Sequence, residues 1–184
     1  MPYSIELHFN DRTTHHIQRI VNRLEKNGIR SITTEYNVPP HLTLIVYNTL
    51  DINDAREKLN LVGDQYRSFD LNLGVLGIGL KERSDFPNEP PLFFLPEVTS
   101  ELLTIHRNVC ELFEPYRKEV LWESYLPQNW LPHCTVAFNV PTKKIPDAMD
   151  TILNSIQSLT IRIDKMVLIE FFPYIVLHRK QLCD

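Results

Sequence analysis

Two short stretches of this chain repeat one pattern, and that repeat limits the possible folds more than any other feature. The first is Pro40-His41-Leu42-Thr43-Leu44-Ile45-Val46, preceded by Pro39. The second is Leu131-Pro132-His133-Cys134-Thr135-Val136-Ala137-Phe138. Each reads proline, histidine, any residue, threonine, then an apolar run suited to a strand. Successive side chains of a strand point to opposite faces. His41 and Thr43 therefore share one face, as do His133 and Thr135. Leu42 and Leu44 point the other way, as do Cys134 and Val136. Two strands with a polar pair in front and an apolar back suggest two halves of one polar site.

The elements around the two histidines also repeat. Tyr3 to Phe9 alternates as a half-buried strand. A helix capped by Asn10 or Asp11 runs to about Asn27, with Ile17, Ile20, Val21 and Leu24 on one stripe. Gly28 closes it. After a connector over Ser31 to Val38 comes the first histidine strand, about 39–47. A helix over about 54–66, opened by Asp51 or Asn53, and a strand from Phe69 follow, with glycines where that strand bends or ends. Lys81 to Pro91 is polar, carries Pro87, Pro90 and Pro91, and reads as the linker.

The second half then has a strand over Pro91 to Pro96, and a helix from Thr99 or Ser100 to about Phe113 or Tyr116. A loop rich in charge and aromatics precedes the second histidine strand, about 131–139. A helix near 144–156 starting at Pro146 and a strand over Thr160 to Asp164 come next. Two closing strands, Lys165 to Glu170 and Tyr174 to Leu182, finish the chain. Each half thus runs strand, helix, histidine strand, helix, strand, with the two histidines 92 positions apart (133 − 41). Internal repeats of this kind decide the fold. The expectation is an α+β bilobal domain over 1–184, with halves of about 1–84 and 91–184. Two pseudo-symmetric lobes of antiparallel sheet with outer helices surround a central groove, which the histidine strands line.

Composition narrows the function. A formal net charge of −4 over 184 residues opposes a protein that grips long nucleic acid, which needs a broad basic surface. A nucleotide or a short RNA end remains a suitable partner. The three cysteines, Cys110, Cys134 and Cys183, show no paired spacing and fit a reducing cytoplasm. No run approaches a membrane span. A cytoplasmic protein acting as a monomer is the expectation.

An imidazole titrates near neutrality, so one neutral and one protonated copy coexist at about pH 6.5. One can take a proton while the other gives one, which suits phosphodiester cleavage. Thr43 and Thr135 can hold the non-bridging phosphate oxygens and stabilise developing charge. No metal or cofactor is needed. A metal site on His41 and His133 is disfavoured, because Thr is not a zinc ligand and Cys134 faces away from His133. The other five histidines, His8, His15, His16, His106 and His178, read as ordinary edge or surface residues. Glu6, His8, Arg162 and Arg179 are further candidates for the polar face by alternation only. Trp122, Tyr125, Trp130, Phe94, Phe172 and Tyr174 are aromatics that could stack a base, and no motif selects among them.

Pro40-His41-Leu42-Thr43-Leu44 and Pro132-His133-Cys134-Thr135-Val136 resemble the two signature motifs of the two-histidine (2H) phosphoesterase superfamily. That superfamily includes the bacterial 2'-5' RNA ligase-like proteins and the 2',3'-cyclic nucleotide phosphodiesterases. The resemblance implies metal-independent action on 2',3'-cyclic or 2',5'-linked phosphoesters. It makes His41 and His133 acid and base in unassigned order, and Thr43 and Thr135 the phosphate-binding hydroxyls. The alternatives are a non-catalytic binder of RNA ends or nucleotides, and a reversible 2'-5' RNA ligase, although the chain carries no GxxxxGK[ST] loop.

Overall fold

The computed structural model describes residues 1–79, 90–156 and 159–183. The linker expected over Lys81 to Pro91 lies outside the described residues except for Pro90 and Pro91. In chain order the strands are β1 (Tyr3–Phe9), β2 (His41–Tyr47), β3 (Phe69–Ile78), β4 (Leu92–Pro96), β5 (Cys134–Ala137), β6 (Leu159–Glu170) and β7 (Ile175–Gln181). The α-helices are α1 (Asp11–Lys26), α2 (Ile32–Glu35), α3 (Ile52–Gly63), α4 (Ser100–Leu112) and α5 (Ile145–Leu153).

Local chemistry sets the helix ends. Asn10 accepts from the Thr13 N–H to open α1, Asp51 from Asn53 and Asp54 to open α3, and Thr99 from Leu102 to open α4. Each cap satisfies a donor that has no partner within its helix. Gly28, at φ +69°, ends α1 in the left-handed region, and the Lys144 ammonium donates to its carbonyl at 2.8 Å. The buried stripe of α1 is Ile17, Ile20, Val21 and Leu24. The connector expected over Ser31 to Val38 contains the short helix α2.

All seven strands join one antiparallel sheet in the order β2-β1-β6-β3-β4-β5, with β7 on the far flank of β6. That order is unchanged when β1, β2 and β3 are exchanged with β4, β5 and β6, so the pseudo-two-fold relation shows in the pairing itself. Each half lends its third strand to the other: β3 pairs with β4, and β6 pairs with β1. The sheet is not closed by hydrogen bonds between β2 and β5, yet these two strands pack side by side.

Two strands differ from the sequence reading for identifiable reasons. The expected strands 160–164 and 165–170 are one strand, β6. Its buried residues shift parity, from Leu159, Ile161 and Ile163 to Met166 and Leu168. The shift is absorbed by a bulge, because His8 faces Lys165 while Phe9 faces Ile163, leaving Asp164 as the extra residue. Similarly, β3 does not end at its glycines. Gly74 sits at a register shift between Leu73 and Val75, and the strand runs on to Ile78. A Cβ on Gly77 would overlap the Phe93 ring, so glycine there lets Phe93 lie flat across the strand. Among the described residues no helix is long and apolar enough to cross a membrane.

His106, on α4, is not an edge residue. It is 1% exposed and stacks on Trp130 at 3.9 Å between centroids. Its Nε2–H is shared between the carbonyls of Tyr125 at 2.9 Å and Leu44 at 3.1 Å. Burial pushes its pKa down to about 4, against the two carbonyl hydrogen bonds, which favour the charged form. The fold therefore favours neutral His106. Its contribution is complete above the ordinary histidine value and is lost as pH falls from about 6.5 toward 4. The loss is on the order of 3 kcal/mol. Urea unfolding at several pH values should show a steeper decline of stability for the wild type than for His106→Gln over that window. Equal declines would contradict this account.

Candidate active site

The two histidine motifs are placed alike. In β2, His41 and Thr43 are half-buried while Leu42 and Leu44 are buried. In the second copy β5 begins only at Cys134, so His133 stands just before the strand. The ladder to β4 is made by Cys134 with Phe94 and Thr135 with Phe93. Pro132 has no N–H to extend it. Thr135 is half-buried and Cys134 and Val136 are buried, which repeats the alternation of β2.

Both imidazoles are anchored in the same way. His41 Nδ1 lies 2.8 Å from the Pro39 carbonyl and His133 Nδ1 lies 2.8 Å from the Leu131 carbonyl. A carbonyl only accepts, so each Nδ1 carries the proton it donates. Each ring therefore presents Nε2 as its working atom.

The packing of β2 against β5 brings the two copies together. The Cys134 thiol, buried and pushed up to about 12 by that burial, lies against the His41 backbone N–H, which acts to lower it. The Tyr125 hydroxyl hydrogen-bonds the Thr43 side chain, while its ring is 6.4 Å from that of His133. Tyr125 thus spans both motifs. Phe93 packs on the other side of His133 at 5.3 Å. Burial pushes the His133 pKa down; the Leu131 carbonyl opposes this, and the charge of His41 adds to it.

β1 adds a cluster. Glu6 pairs across from Thr43, and His8 from His41, so both share the polar face. Both are buried, at 3% and 8% exposure. The Glu6 carboxylate accepts from Ser4 Oγ at 2.7 Å, from His8 Nε2 at 2.8 Å and from the Tyr174 hydroxyl at 3.0 Å. Its Oε1 is 3.5 Å from His41 Nε2. Burial alone would raise the Glu6 carboxyl. The charge of His41 and the hydrogen bonds of His8 and Ser4 outweigh it and hold the carboxyl at about 2.

The remaining candidates scatter. Arg162 pairs with Asp70 at 3.3 Å. Arg179, on β7, acts on this cluster by its charge, which disfavours protonation of His8. Trp130 is a core residue: its ring stacks on His106 and its indole N–H donates to the Thr43 carbonyl at 3.0 Å. Phe94 is buried. Trp122 is exposed and lies 6.1 Å from Tyr125. Phe172 is exposed and packs on Tyr36 at 4.7 Å. Among the described residues no group of three or more His, Cys, Asp or Glu is arranged to hold a metal ion.

A family model described as the 2'-5' RNA ligase superfamily matches residues 11–171. No curated protein matches the chain in sequence. Among solved structures, the fold is similar to that of TT0787 of Thermus thermophilus, with a TM-score of 0.64 and 17% identity over 99% of this chain and 98% of that one. It is also similar to E. coli LigT complexed with 3'-AMP, with a TM-score of 0.61 and 14% identity over 100% of both chains. Kluyveromyces marxianus Usb1 matches at a TM-score of 0.50 and 10% identity over 96% of this chain and 97% of that one. At these identities the likeness is one of fold.

Proposed function

The chain belongs to the 2'-5' RNA ligase superfamily, and from that premise we propose that it is a metal-independent phosphodiesterase. Its substrate is a 2',3'-cyclic phosphate or 2',5'-linked nucleotide or RNA end, hydrolysed by His41 and His133 as acid and base. One observation supports the reading: two imidazoles, each held through Nδ1 on a backbone carbonyl, stand at the starts of two strands, β2 and β5, that pack side by side. A single imidazole can accept or donate in one turnover; a pair does both.

The step is an in-line displacement at phosphorus. A water oxygen bonds to phosphorus as its proton passes to Nε2 of one histidine. The bond from phosphorus to the ribose oxygen breaks, and that oxygen takes a proton from Nε2 of the other. The pair ends with its protons exchanged and resets through solvent. The hydroxyls of Thr43 and Thr135 bind the non-bridging oxygens, where charge accumulates. That the similar LigT was crystallised with 3'-AMP supports a nucleotide as the ligand class. Trp122, exposed and 6.1 Å from Tyr125, is a ring on which a base could stack.

The test is a panel of 2',3'-cyclic nucleotides and 2',5'-linked dinucleotides, assayed with and without chelator. Turnover that survives chelation is expected. Binding seen by calorimetry without product would instead mark a nucleotide-binding protein, and loss of activity on chelation would oppose the metal-free scheme.

A further inference from the structure

We propose that one exposed flank of α1 is an exosite for an RNA strand, which Arg12, Arg19, Arg23 and Lys26 hold by the phosphates next to its reacting end. For that end the inference rests on the hydrolase reading above. It adds that the substrate carries a tail of a few nucleotides, which a free cyclic mononucleotide lacks.

The stripe comes from spacing. Arg12, His16, Arg19, Arg23 and Lys26 follow one another at intervals of four, three, four and three residues, which puts them on one side of a helix. They run about 21 Å along the axis, at 1.5 Å per residue. The four Arg and Lys side chains are exposed and His16 is half-buried. The apolar stripe of Ile17, Ile20, Val21 and Leu24 is on the core side. Asp11 and Glu25, the acidic residues of α1, interrupt neither interval. The helix therefore has a net charge of +2 (4 − 2) in a chain whose net charge is −4.

Nothing in the fold uses this charge. Like charges one turn apart oppose a helix, and carboxylates do not relieve them here. Among the described residues none of the four cations forms an ion pair with a carboxylate. Arg19 donates to His16 Nδ1 at 3.4 Å and Arg23 to Ser155 Oγ at 2.9 Å, both uncharged partners. His16 is held toward its neutral form, by burial first and then by the charges of Arg19 and Arg12. Each end of the stripe opens on a cavity. In one, of about 360 Å³, Arg12 and His16 face Thr160 and Arg162, and its carboxylate, Asp70, is paired with Arg162 at 3.3 Å. In the other, of about 280 Å³, Arg23 and Lys26 face Thr151 and Asn154 of the α5 end.

The stripe is continuous with the candidate site. Arg12 follows His8 by four residues, at most about 14 Å of backbone, and the His8 ring stacks on that of His41 at 6.0 Å. A strand of phosphates is a ligand whose charge repeats along its length, as the cations of α1 do. A membrane surface fits less well, because an interfacial helix inserts its apolar face and that of α1 is buried in the core.

The experiment compares kcat/KM for a 2',3'-cyclic mononucleotide and for an RNA of about eight nucleotides ending in the same cyclic phosphate, over about 50–200 mM salt. The proteins are the wild type and the triple variant Arg12→Gln, Arg19→Gln, Arg23→Gln. Each phosphate contact contributes about 0.7 to the log–log salt slope for a single strand. The triple variant should therefore lose about 2 from the slope for the RNA and about 10–100-fold of its kcat/KM, through KM. Mononucleotide turnover should hold. A wild type whose salt slope is the same for both substrates overturns the proposal. So does an equal loss in the charge-matched control Arg107→Gln, Arg117→Gln, Lys118→Gln, whose residues are exposed on and after α4, since that would mark steering by net charge.

Sedimentation with phosphatidylserine vesicles tests the other anionic surface. Vesicle binding that the triple variant loses, with RNA turnover unchanged, assigns the stripe to a membrane and overturns the proposal. If the wild type turns over no cyclic phosphate, the hydrolase reading fails. Fluorescence anisotropy of a labelled RNA ending in a 3'-phosphate then judges the exosite alone, by the same loss of salt slope in the triple variant.

Discussion

Alanine at His41 or at His133 is expected to lower kcat/KM for a 2',3'-cyclic nucleotide by about 10²–10⁴-fold, the usual worth of a positioned general acid or base. The double variant should lose little more than the worse single one, because groups that act as a unit do not add. The two variants should differ in stability. Among the described residues the His133 ring bonds only the Leu131 carbonyl two residues before it, and it lies tilted against the rings of Phe93 and Tyr125. Its removal leaves no buried charge. His41 has the buried Glu6 carboxylate against it. His41→Ala removes the imidazole that faces that anion and should cost on the order of 1–3 kcal/mol more than His133→Ala. Ser4, His8 and Tyr174 remain on Glu6, so unfolding is not expected. Steady-state kinetics with thermal melts of both variants make the check. Full activity in either variant removes that histidine from the chemistry.

The same pair predicts a bell-shaped profile in the wild type, from one neutral and one protonated ring. Burial lowers the pH at which His133 becomes a cation, so the profile's position follows the surroundings of the rings. A flat profile across about pH 5–8, measured with chemistry rate-limiting, would contradict paired acid–base catalysis.

The motifs were legible because strand alternation is a local property. Four residues suffice to put His41 and Thr43 on one face, and the burial of β2 follows that pattern. Helix starts were legible for the same reason: Asn10, Asp51 and Thr99 each cap within three residues of themselves. Pairing partners are not local. Nothing in β3 says that it lies beside β4 and β6 rather than β1, and the exchange of third strands is visible only in the assembled sheet.

Glu6 and His8 show the consequence. Alternation placed them on a polar face of β1, but only the register, Glu6 opposite Thr43 and His8 opposite His41, puts that face in the site. Trp130 shows the converse. In a charged loop it looked like a ring available to a base, yet its N–H needs a partner when buried. It finds the Thr43 carbonyl and a stack on His106. The single strand β6 was masked by its bulge, since a parity change reads in sequence as a break.

Valine at Thr43 or Thr135 is expected to lower kcat by about 10²–10³-fold, the cost of losing one donor to a developing oxyanion, with KM much less affected. Valine keeps the branched shape and removes only the hydroxyl, and the backbone of Thr43 has its own restraint in the Trp130 N–H at 3.0 Å. Strand position should therefore survive in Thr43→Val, and the loss should read on the transition state. The two threonines are not equal in one respect: Thr43 also bonds Tyr125, the ring that reaches His133. Thr43→Val frees that hydroxyl, whereas Thr135→Val leaves it in place. Tyr125→Phe separates the two effects. It keeps the ring beside His133 and the Thr43 hydroxyl, so it should cost no more than about tenfold, since a single neutral hydrogen bond is worth roughly 1 kcal/mol. Serine at either position restores the donor and should recover most of kcat. If the valine variants instead raise KM with kcat intact, the threonines bind ground state and transition state alike, and charge stabilisation at the phosphate must come from other donors.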